Sequence, residues 1–210
     1  MTVIVRHLGL QDYAPTWQQM QTFNQQRNPN TDDEIWLLQH PPVFTLGLNG
    51  KAGHVLDAGT VPLVATDRGG QVTYHGPGQL IVYILFDLKR RREGVRNIVT
   101  RLEQSVIDYL TSKNIQAAAR KDAPGVYVQG EKIAALGLRV KQGGCYHGLS
   151  LNVDMDLAPF EQINPCGYPG LKVTSMAKLG LNDSIKQVTE DYLGFLCQQF
   201  SIDEIRELHG

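Results

Sequence analysis

The spacing of hydrophobic and polar residues along the chain predicts helices mixed with strands, without internal repeats or low-complexity segments. Helical spacing is clearest in the middle of the chain, where Ile98, Leu102 and Leu110 fall on one face. Three long helices are therefore expected, over residues 13–27, 98–113 and 184–200.

Capping residues predict where these helices begin and end. Asn97 is the expected N-cap of the second helix, since its side chain can accept a hydrogen bond from a free backbone amide. Ser184 with Gln187 forms a capping box for the third. The same pattern recurs at Ser201 and Glu204, which predicts a short helical turn near the end of the chain.

Short segments rich in β-branched or apolar residues predict strands. Two of them are joined by Gln129-Gly130-Glu131, which predicts a β-hairpin. The mixture favours the α+β (α/β) class, a mixed β-sheet flanked by helices, in a single domain over residues 1–210. The predicted strands are 34–39, 43–47, 80–87, 124–128, 132–140 and 149–153.

The charges of the chain nearly balance, with 20 Lys and Arg against 21 Asp and Glu. This balance gives no broad electrostatic reason to bind nucleic acid or an anionic membrane. The first ten residues include Arg6 and His7, and no later apolar run approaches the roughly 20 residues that span a bilayer. We therefore expect a soluble protein without a secretion signal.

The cysteines and histidines do not form a metal or disulfide pattern. Cys145, Cys166 and Cys197 are odd in number and widely separated, and the six histidines show no ligand spacing. We therefore expect no metal site, and the reducing cytoplasm as the location.

Cys166 differs from the other two cysteines because it stands in Asn-Pro-Cys-Gly-Tyr-Pro-Gly, residues 164–170. Such a segment forms a turn, where neither a helix interior nor a sheet holds the sulfur, so the sulfur can face a cleft. A thiolate with a cation or base nearby is a nucleophile. Cys166 is therefore a candidate nucleophile, whereas Cys145 and Cys197 are expected to be small buried hydrophobes.

Three glycine-bearing segments, 68–80, 130–139 and 146–153, each allow two interpretations. The first is either a surface hairpin with a Gly-Pro-Gly turn or a loop whose backbone approaches a ligand. The second contains Lys132, which is either a solvated charge or an amine at the mouth of an apolar slot, where burial would lower its pKa. The third is either an ordinary strand or part of the same site.

The order of these segments, followed by Ile163-Asn164-Pro165-Cys166-Gly167 and Val173-Thr174-Ser175-Met176, resembles the octanoyltransferase family of lipoate biosynthesis over about residues 41–176. Proteins of this family move an octanoyl group from acyl carrier protein to a lysine of a lipoyl domain. The resemblance implies the fold of lipoate and biotin protein ligases.

The resemblance also implies partners. The donor would be octanoyl acyl carrier protein. The acceptors would be the lipoyl domains of 2-oxoacid dehydrogenases and the H protein of the glycine cleavage system. No cofactor, nucleic acid or membrane is implied, and the expected state is a monomer.

Site residues follow from the resemblance as well. Cys166 would carry the acyl group as a thioester, and Lys132 would be its catalytic partner. The residues that would line the acyl substrate's site are Arg68, Gly69, Gly70, Gln71, Val72, Thr73, Tyr74, His75, Ala135, Leu136, Gly137, Gly148, Leu149 and Ser150.

Some alternatives stay open at this point. An ATP-dependent lipoate protein ligase would activate the free acid as an adenylate and would need no cysteine. A non-enzymatic acyl-binding module or a thioesterase would use the same slot. For the oxyanion of the tetrahedral intermediate, backbone amides near Gly148 to Ser150 or around His75 are candidate donors. The run Lys89-Arg90-Arg91-Arg92 is either a basic rim for an acidic carrier or a solvated turn.

Overall fold

The structure, a computed structural model, describes residues 2–209, with the side chain of Cys166 outside the described part. These residues form eleven strands and four α-helices. The helices are α1 (Tyr13–Gln26), α2 (Leu88–Arg91), α3 (Val95–Ser112) and α4 (Ile185–Gln199). The strands are β1 (Thr2–Leu10), β2 (Asp33–Gln39), β3 (Val43–Leu46), β4 (Leu63–Ala65), β5 (Val72–His75), β6 (Gln79–Asp87), β7 (Ala118–Ala119), β8 (Gly125–Val128), β9 (Glu131–Lys141), β10 (Gly144–Asn152) and β11 (Glu204–His209).

Eight of these strands form one mixed sheet in the order β11-β1-β2-β6-β10-β9-β8-β7. β1 runs parallel to both of its neighbours, β2 and β11, and the other pairs are antiparallel. The predicted hairpin is confirmed as β8 and β9, with Gln129 and Gly130 at its turn. The mixed sheet and its covering helices confirm the predicted fold class.

Both faces of the main sheet are covered, which explains why β6 is apolar without interruption. Its even-numbered residues pack into a large cluster with α3 and α4, and Val82 and Ile84 there are fully buried. Its odd-numbered residues from Ile81 to Leu85 join a smaller cluster with Met20 of α1. The predicted apolar face of α3 lies in the large cluster.

A second, three-stranded sheet has the order β4-β3-β5. It packs against Phe160 and Ile163, which belong to or directly follow a 3₁₀ turn at Ala158–Gln162. Gly76-Pro77-Gly78 carries the chain from β5 of this sheet to β6 of the main sheet. The interpretation of segment 68–80 as a surface hairpin is therefore wrong, because its two strands belong to different sheets.

The expected N-cap of α3 is also wrong. The helix begins at Val95, with Gly94 at the N-cap position, so Asn97 lies inside the first turn. Asn97 is exposed, as are Val95 and Arg96 beside it. The apolar spacing starts only at Ile98, so the pattern hid the solvent-facing first turn.

The end of the chain differs most from the prediction. Residues 204–209 form strand β11, which pairs in parallel with β1, where a helical turn was expected. Most of β11 is exposed, so its sequence carries little of the apolar alternation that marks a strand. β10 is also longer than predicted, since it begins at Gly144 rather than near residue 149. Within residues 2–209 no helix combines the length and apolar character that crossing a membrane requires.

Candidate active site

A cleft of about 360 Å³ opens where the loop before β5 meets β9 and β10 of the main sheet. Small residues of β9 and β10 line it, namely Ala135, Gly137 and Gly148, whereas Ala134 packs in the main core. Of the predicted substrate-site residues the following line the cleft: Arg68, Gly69, Gly70, Gln71, Val72, Thr73, His75, Ala135, Leu136, Gly137, Gly148, Leu149 and Ser150.

Tyr74 is the predicted residue that does not line this cleft. Because side chains alternate along β5, Tyr74 points away from its neighbours Thr73 and His75. Its ring packs against Phe44 and Phe160, with ring centroids 5.4 and 5.5 Å away. The structure thus places Tyr74 in the core of the small sheet.

Close backbone contact holds the loop against the main sheet. The amide of Gly69 donates to the carbonyl of Leu138 at 2.9 Å. A Cβ atom on Gly137 would lie 2.9 Å from the carbonyl oxygen of Gly69, closer than side chains approach in proteins. Glycine at position 137 therefore allows the loop to lie on β9, which forms one wall of the cleft.

Arg68 is a buried cation in this wall. Its Nη2 donates to the carbonyl oxygen and to Oγ1 of Thr45 at 2.7 and 2.8 Å, and its Nε donates to the same Oγ1 at 3.2 Å. Nη1 donates to the carbonyl of Gly69 at 3.0 Å. The guanidinium thus fixes both the small sheet and the glycine loop.

His75 begins a chain of buried polar side chains that crosses the sheet. Its Nδ1 donates to Oε1 of Gln79 at 2.8 Å, because the amide nitrogen of Gln79 donates to Oδ1 of Asn152 at 2.9 Å. Asn152 in turn donates to the carbonyl of Thr174 at 2.9 Å. Burial is the main cause that holds the pKa of His75 well below its ordinary value, and the nearby His40 lowers it further. His75 is therefore neutral, and its Nε2 faces Oγ1 of Thr45 at 3.5 Å.

His147 is held by Asp67. The backbone of His147 is left-handed, with φ of +66°, and its Nε2 donates to Oδ1 of Asp67 at 3.3 Å. Asp67 also accepts from Trp17 Nε1 at 2.7 Å and from the hydroxyl of Tyr146. Burial would raise the pKa of Asp67, but these hydrogen bonds outweigh it and hold that pKa well below its ordinary value.

His40 stands behind this part of the cleft. Its Nδ1 donates to the carbonyl of Gln11 at 2.6 Å, so its Nε2 accepts from the hydroxyl of Tyr83 at 2.7 Å. Burial lowers the pKa of His40 to about 4. We call the lining residues Tyr13, Arg68, His75, Tyr83 and His147 the polar floor of the cleft.

Lys132 is only 3% exposed, so its interpretation as a solvated surface charge is wrong. Its Nζ donates to the carbonyl of Pro124, a lining residue, at 3.0 Å, and lies 5.2 Å from the ring centroid of Tyr127. A Cβ atom on Gly125 would lie 3.0 Å from Nζ, so the glycine leaves space for the amine. Lys132 therefore lies beside the cleft, behind Pro124, and is not one of its lining residues.

The segment that carries Cys166 is fixed near both the cleft and Lys132. The 3₁₀ turn Pro165–Gly167 contains Cys166, whose thiol lies outside the described residues. Beyond the turn, Tyr168 lines the cleft and donates from its hydroxyl to the carbonyl of Asp122 at 2.6 Å. Further along, Thr174 donates from its amide to the carbonyl of Lys132 at 2.9 Å. The backbone thus links the Cys166 segment to the strand of Lys132.

The candidate oxyanion donors at Gly148 to Ser150 lie within the main sheet. This part of β10 pairs with β6 on one side and β9 on the other. Sheet pairing therefore competes for the amides of this segment, and the donor set stays a prediction. β5, with His75, pairs on one side with β3 alone among the described strands.

The other two cysteines do not have the character of nucleophiles. Cys145 is 1% exposed in the main core, and burial raises the pKa of its thiol to about 12. Cys197 packs against the same core, and burial raises its pKa as well. The expectation that both are small hydrophobic residues is confirmed for Cys145 and agrees with the partial burial of Cys197.

The basic run at 89–92 serves neither of its two predicted uses as a whole. Arg90 and Arg91 both pair with Asp33, at 2.7 and 2.6 Å, and Arg91 is largely buried. Lys89 and Arg92 are exposed. Two of the four basic side chains therefore share the single negative charge of Asp33, which Arg27 also contacts at 2.8 Å.

The sequence is similar to known proteins along almost its whole length. The family model described as the lipoyl protein ligase A/B catalytic domain matches residues 12–196. An octanoyltransferase from Chromobacterium violaceum is 56% identical over 201 residues, which cover 96% of this chain and 97% of that protein. The chain belongs to the octanoyltransferase family.

This octanoyltransferase family member shares its fold with ligases. A bi-partite lipoate protein ligase from Thermoplasma acidophilum matches with a TM-score of 0.75 at 14% identity, over 99% of this chain and 88% of that one. A biotin protein ligase from Aquifex aeolicus matches with a TM-score of 0.59 at 14% identity, over 94% and 70%. Identities this low show the fold alone, and they confirm the predicted structural relation.

Sequence reasoning missed several residues around the site of this octanoyltransferase family member. Tyr13 and Tyr83 lie in elements that were predicted, but nothing in their local pattern distinguishes them from core residues. Asp67 and Gln79 are polar residues that hold cleft histidines from behind. The missed lining residues are Tyr13, Tyr83, Val95, Val99, Asp122, Ala123, Pro124, Leu138, His147 and Tyr168.

Proposed function

We propose that this chain moves an octanoyl group from acyl carrier protein, through a thioester on Cys166, to the lysine amine of a lipoyl domain, with Lys132 as catalytic partner. The observation that carries the proposal is a buried amine beside an acyl-sized cleft. The segment after Cys166 hydrogen-bonds to the backbone of the same lysine. Membership of the octanoyltransferase family supports the reaction class.

The first half-reaction exchanges one thioester for another. The Cys166 thiolate attacks the carbonyl carbon of the octanoyl thioester, a new C–S bond forms, and the C–S bond to the carrier breaks. The carrier's thiolate leaves and takes up the proton that Cys166 gave up. Both ends of the exchange are thioesters, so no ATP is consumed.

The second half-reaction forms an amide. The amine of the acceptor lysine attacks the Cys166 thioester, a C–N bond forms, and the Cys166 thiolate leaves. As an ammonium, Lys132 stabilises this thiolate, and as a neutral amine it accepts the proton that the incoming lysine loses. Lys132 can therefore serve both steps.

The cleft wall supports recognition of an unbranched acyl chain. Val99, Ala135, Leu136 and Leu149 supply apolar surface to it. The six methylenes of an octanoyl group, at about 0.8 kcal/mol each, could contribute on the order of 5 kcal/mol on burial. Shorter acyl chains should therefore bind more weakly.

The side chain of Gln71 offers a hydrogen-bond acceptor at the end of the cleft near the Cys166 segment. Its Oε1 is buried and has no hydrogen-bond partner among the described residues. Gly167, next to Cys166 in the chain, lies so close that a Cβ on it would be 3.1 Å from Gln71 Cγ. A substrate N–H group near Cys166 would satisfy this acceptor.

The partners and setting of the reaction belong to the same proposal. Octanoyl acyl carrier protein is the donor, and lipoyl domains of 2-oxoacid dehydrogenases and the glycine cleavage H protein are the acceptors. The chain acts as a monomeric single domain in the cytoplasm, with no cofactor and no metal in the reaction.

Intact-mass measurement after mixing with octanoyl acyl carrier protein tests the proposal. We expect a mass increase of one octanoyl group that hydroxylamine removes and that a lipoyl domain accepts. Cys166→Ala should abolish the adduct, whereas the matched Cys197→Ala should keep it. An ATP-dependent transfer of free octanoate that survives Cys166→Ala would indicate a ligase instead, and octanoate release with a lipoyl domain present would indicate a thioesterase.

A further inference from the structure

Three metal-binding side chains meet at the β1/β11 edge of the main sheet, and none of them lines the active-site cleft. We propose that His7, Glu207 and His209 form a binding site for a late first-row divalent cation, with zinc as the probe. No sequence motif contains these three residues, because His7 lies near the start of the given sequence and His209 near its end. The cluster does not depend on the proposed reaction.

Strand pairing brings the three residues together. His7 and His209 are direct partners in the parallel pair of β1 and β11. Glu207 lies two residues before His209, so both side chains point to the same face of the strand. The two imidazole rings stack with centroids 4.7 Å apart and planes 20° from parallel. Two histidines and a carboxylate are thus presented side by side by the backbone.

The ligand atoms are close enough for one ion. One ligand atom from each residue lies within 4.8 Å of the other two, and His7 Nε2 is 2.9 Å from Glu207 Oε2. A tetrahedral zinc ion with bonds of about 2.0–2.2 Å holds its ligands roughly 3.3 Å apart. Small side-chain rotations would reach that spacing, and both side chains have solvent to move into, being 21% and 43% exposed.

The chemistry of the three ligands selects the class of ion. Imidazole nitrogens favour zinc, copper and nickel, whereas calcium and magnesium favour oxygen-only sites. The Glu207 carboxylate would offset part of the positive charge. This donor set resembles open zinc sites, which use three protein ligands and leave a position for water.

The surroundings leave room for a fourth ligand. The three side chains border a groove of about 320 Å³ between the sheet edge and α4, which Glu190 and Lys186 also line. Glu190 lies 3.9 Å from Lys186, and both side chains are mostly exposed. Water or Glu190 could therefore complete the coordination.

Binding would join two distant ends of the chain. β11 is an edge strand whose residues are mostly exposed, so apolar burial holds it weakly. A cation bound by His7 of β1 and by two residues of β11 would stabilise this pairing, because it would bind the folded state alone. The bound cation would cross-link β11 to β1.

Calorimetric titration of the full chain with zinc chloride tests the site. The background variant is Cys166→Ser, since a cysteine thiolate can also bind zinc. We expect one zinc per chain, and binding at least about tenfold weaker in His7→Ala and in His209→Ala. The partly exposed His54 lies outside the cluster, so His54→Ala should bind like the background variant.

Hydrogen exchange gives a second readout, in which each variant is compared with itself in the presence and absence of zinc. Zinc should slow amide exchange in residues 204–209 of the background variant and leave that exchange unchanged in His209→Ala, whose substitution lies at an exposed strand end. The proposal is overturned if no zinc binds below millimolar concentration. It is equally overturned if the double variant His7→Ala/His209→Ala binds zinc as the background does.

Discussion

The apolar core under α3 and α4 and the polar floor of the cleft are both buried, but they are held in different ways. In the core, Leu102 and Val106 are fully buried and gain stability from the apolar area removed from water. In the floor, Arg68 and His75 are each 7% exposed and rely on particular partners such as Thr45 and Gln79.

The difference teaches how the two regions respond to change. An apolar core tolerates substitutions that keep its volume, since dispersion and burial have no direction. A buried hydrogen-bonded group does not, because loss of one partner leaves the other unsatisfied, at about 1–3 kcal/mol. The core therefore sets stability, and the floor sets the shape and polarity of the cleft.

Lys132→Ala changes a buried polar residue beside the floor and should have the largest effect of all, on activity and not on folding. We expect octanoyl transfer to slow by about 10²–10⁴-fold, because both half-reactions lose their proton acceptor and cation, while the chain still folds. Single-turnover rates of acyl loading and of transfer, with urea unfolding alongside, measure both effects. Lys172→Ala removes an exposed lysine nearby and should change neither. Full activity in Lys132→Ala would remove the lysine from the mechanism.

Leu102→Ala should give the opposite result. Leu102 is fully buried, and its truncation should lower the free energy of unfolding by about 2–5 kcal/mol. Transfer per folded molecule should stay the same, because Leu102 does not line the cleft. Urea unfolding and activity well below the melting temperature test this, with the exposed Thr100→Ala as control. A tenfold loss of activity in fully folded protein would contradict the division between core and floor.

Asp67→Asn should have the smallest effect and should depend on pH. The folded-state pKa of Asp67 is depressed by its hydrogen bonds from His147, Tyr146 and Trp17, which outweigh burial. Its stabilisation is therefore complete above the unfolded pKa of about 3.9 and is lost as pH falls through the folded pKa.

We expect the wild type to exceed Asp67→Asn by about 1–3 kcal/mol at neutral pH, with the gap narrowing below about pH 4. Urea titrations between neutral and acid pH measure the gap. The exposed Asp57→Asn serves as control. A gap that widens toward acid would have the wrong sign.

Local patterns predicted much of the fold and missed what depends on distant pairing. The amphipathic face of α3 and the β8–β9 hairpin follow from residues close in sequence, and both are present. β11 is exposed and gains its structure from β1, at the other end of the chain, so its own residues carried no sign of it. Asn97 was misplaced because residues 95–97 of the first helical turn are exposed and fall outside the apolar spacing.

Site residues that lie in a recognisable sequence segment could be predicted. Site residues that only tertiary contacts bring to the cleft could not. The family resemblance of the glycine segments predicted most of the cleft wall. It also included Tyr74, which points away from the cleft because side chains alternate along β5. The hairpin position of Lys132 did not show that its side chain is buried. This burial depends on contacts with Pro124, just before β8, and with Tyr127 of β8. Asp67 and His40 hydrogen-bond to the lining residues His147 and Tyr83 without lining the cleft themselves, and no sequence motif contains them.

The segment between Asn164 and Thr174 is closed at both ends by main-chain atoms. The amide of Asn164 donates to His54, and the amide of Thr174 donates to Lys132, at 2.8 and 2.9 Å. Side-chain replacements leave these two anchors in place, whereas one inserted or deleted residue changes the span that the segment must bridge. Apart from Cys166, the length of this loop is therefore more constrained than its composition.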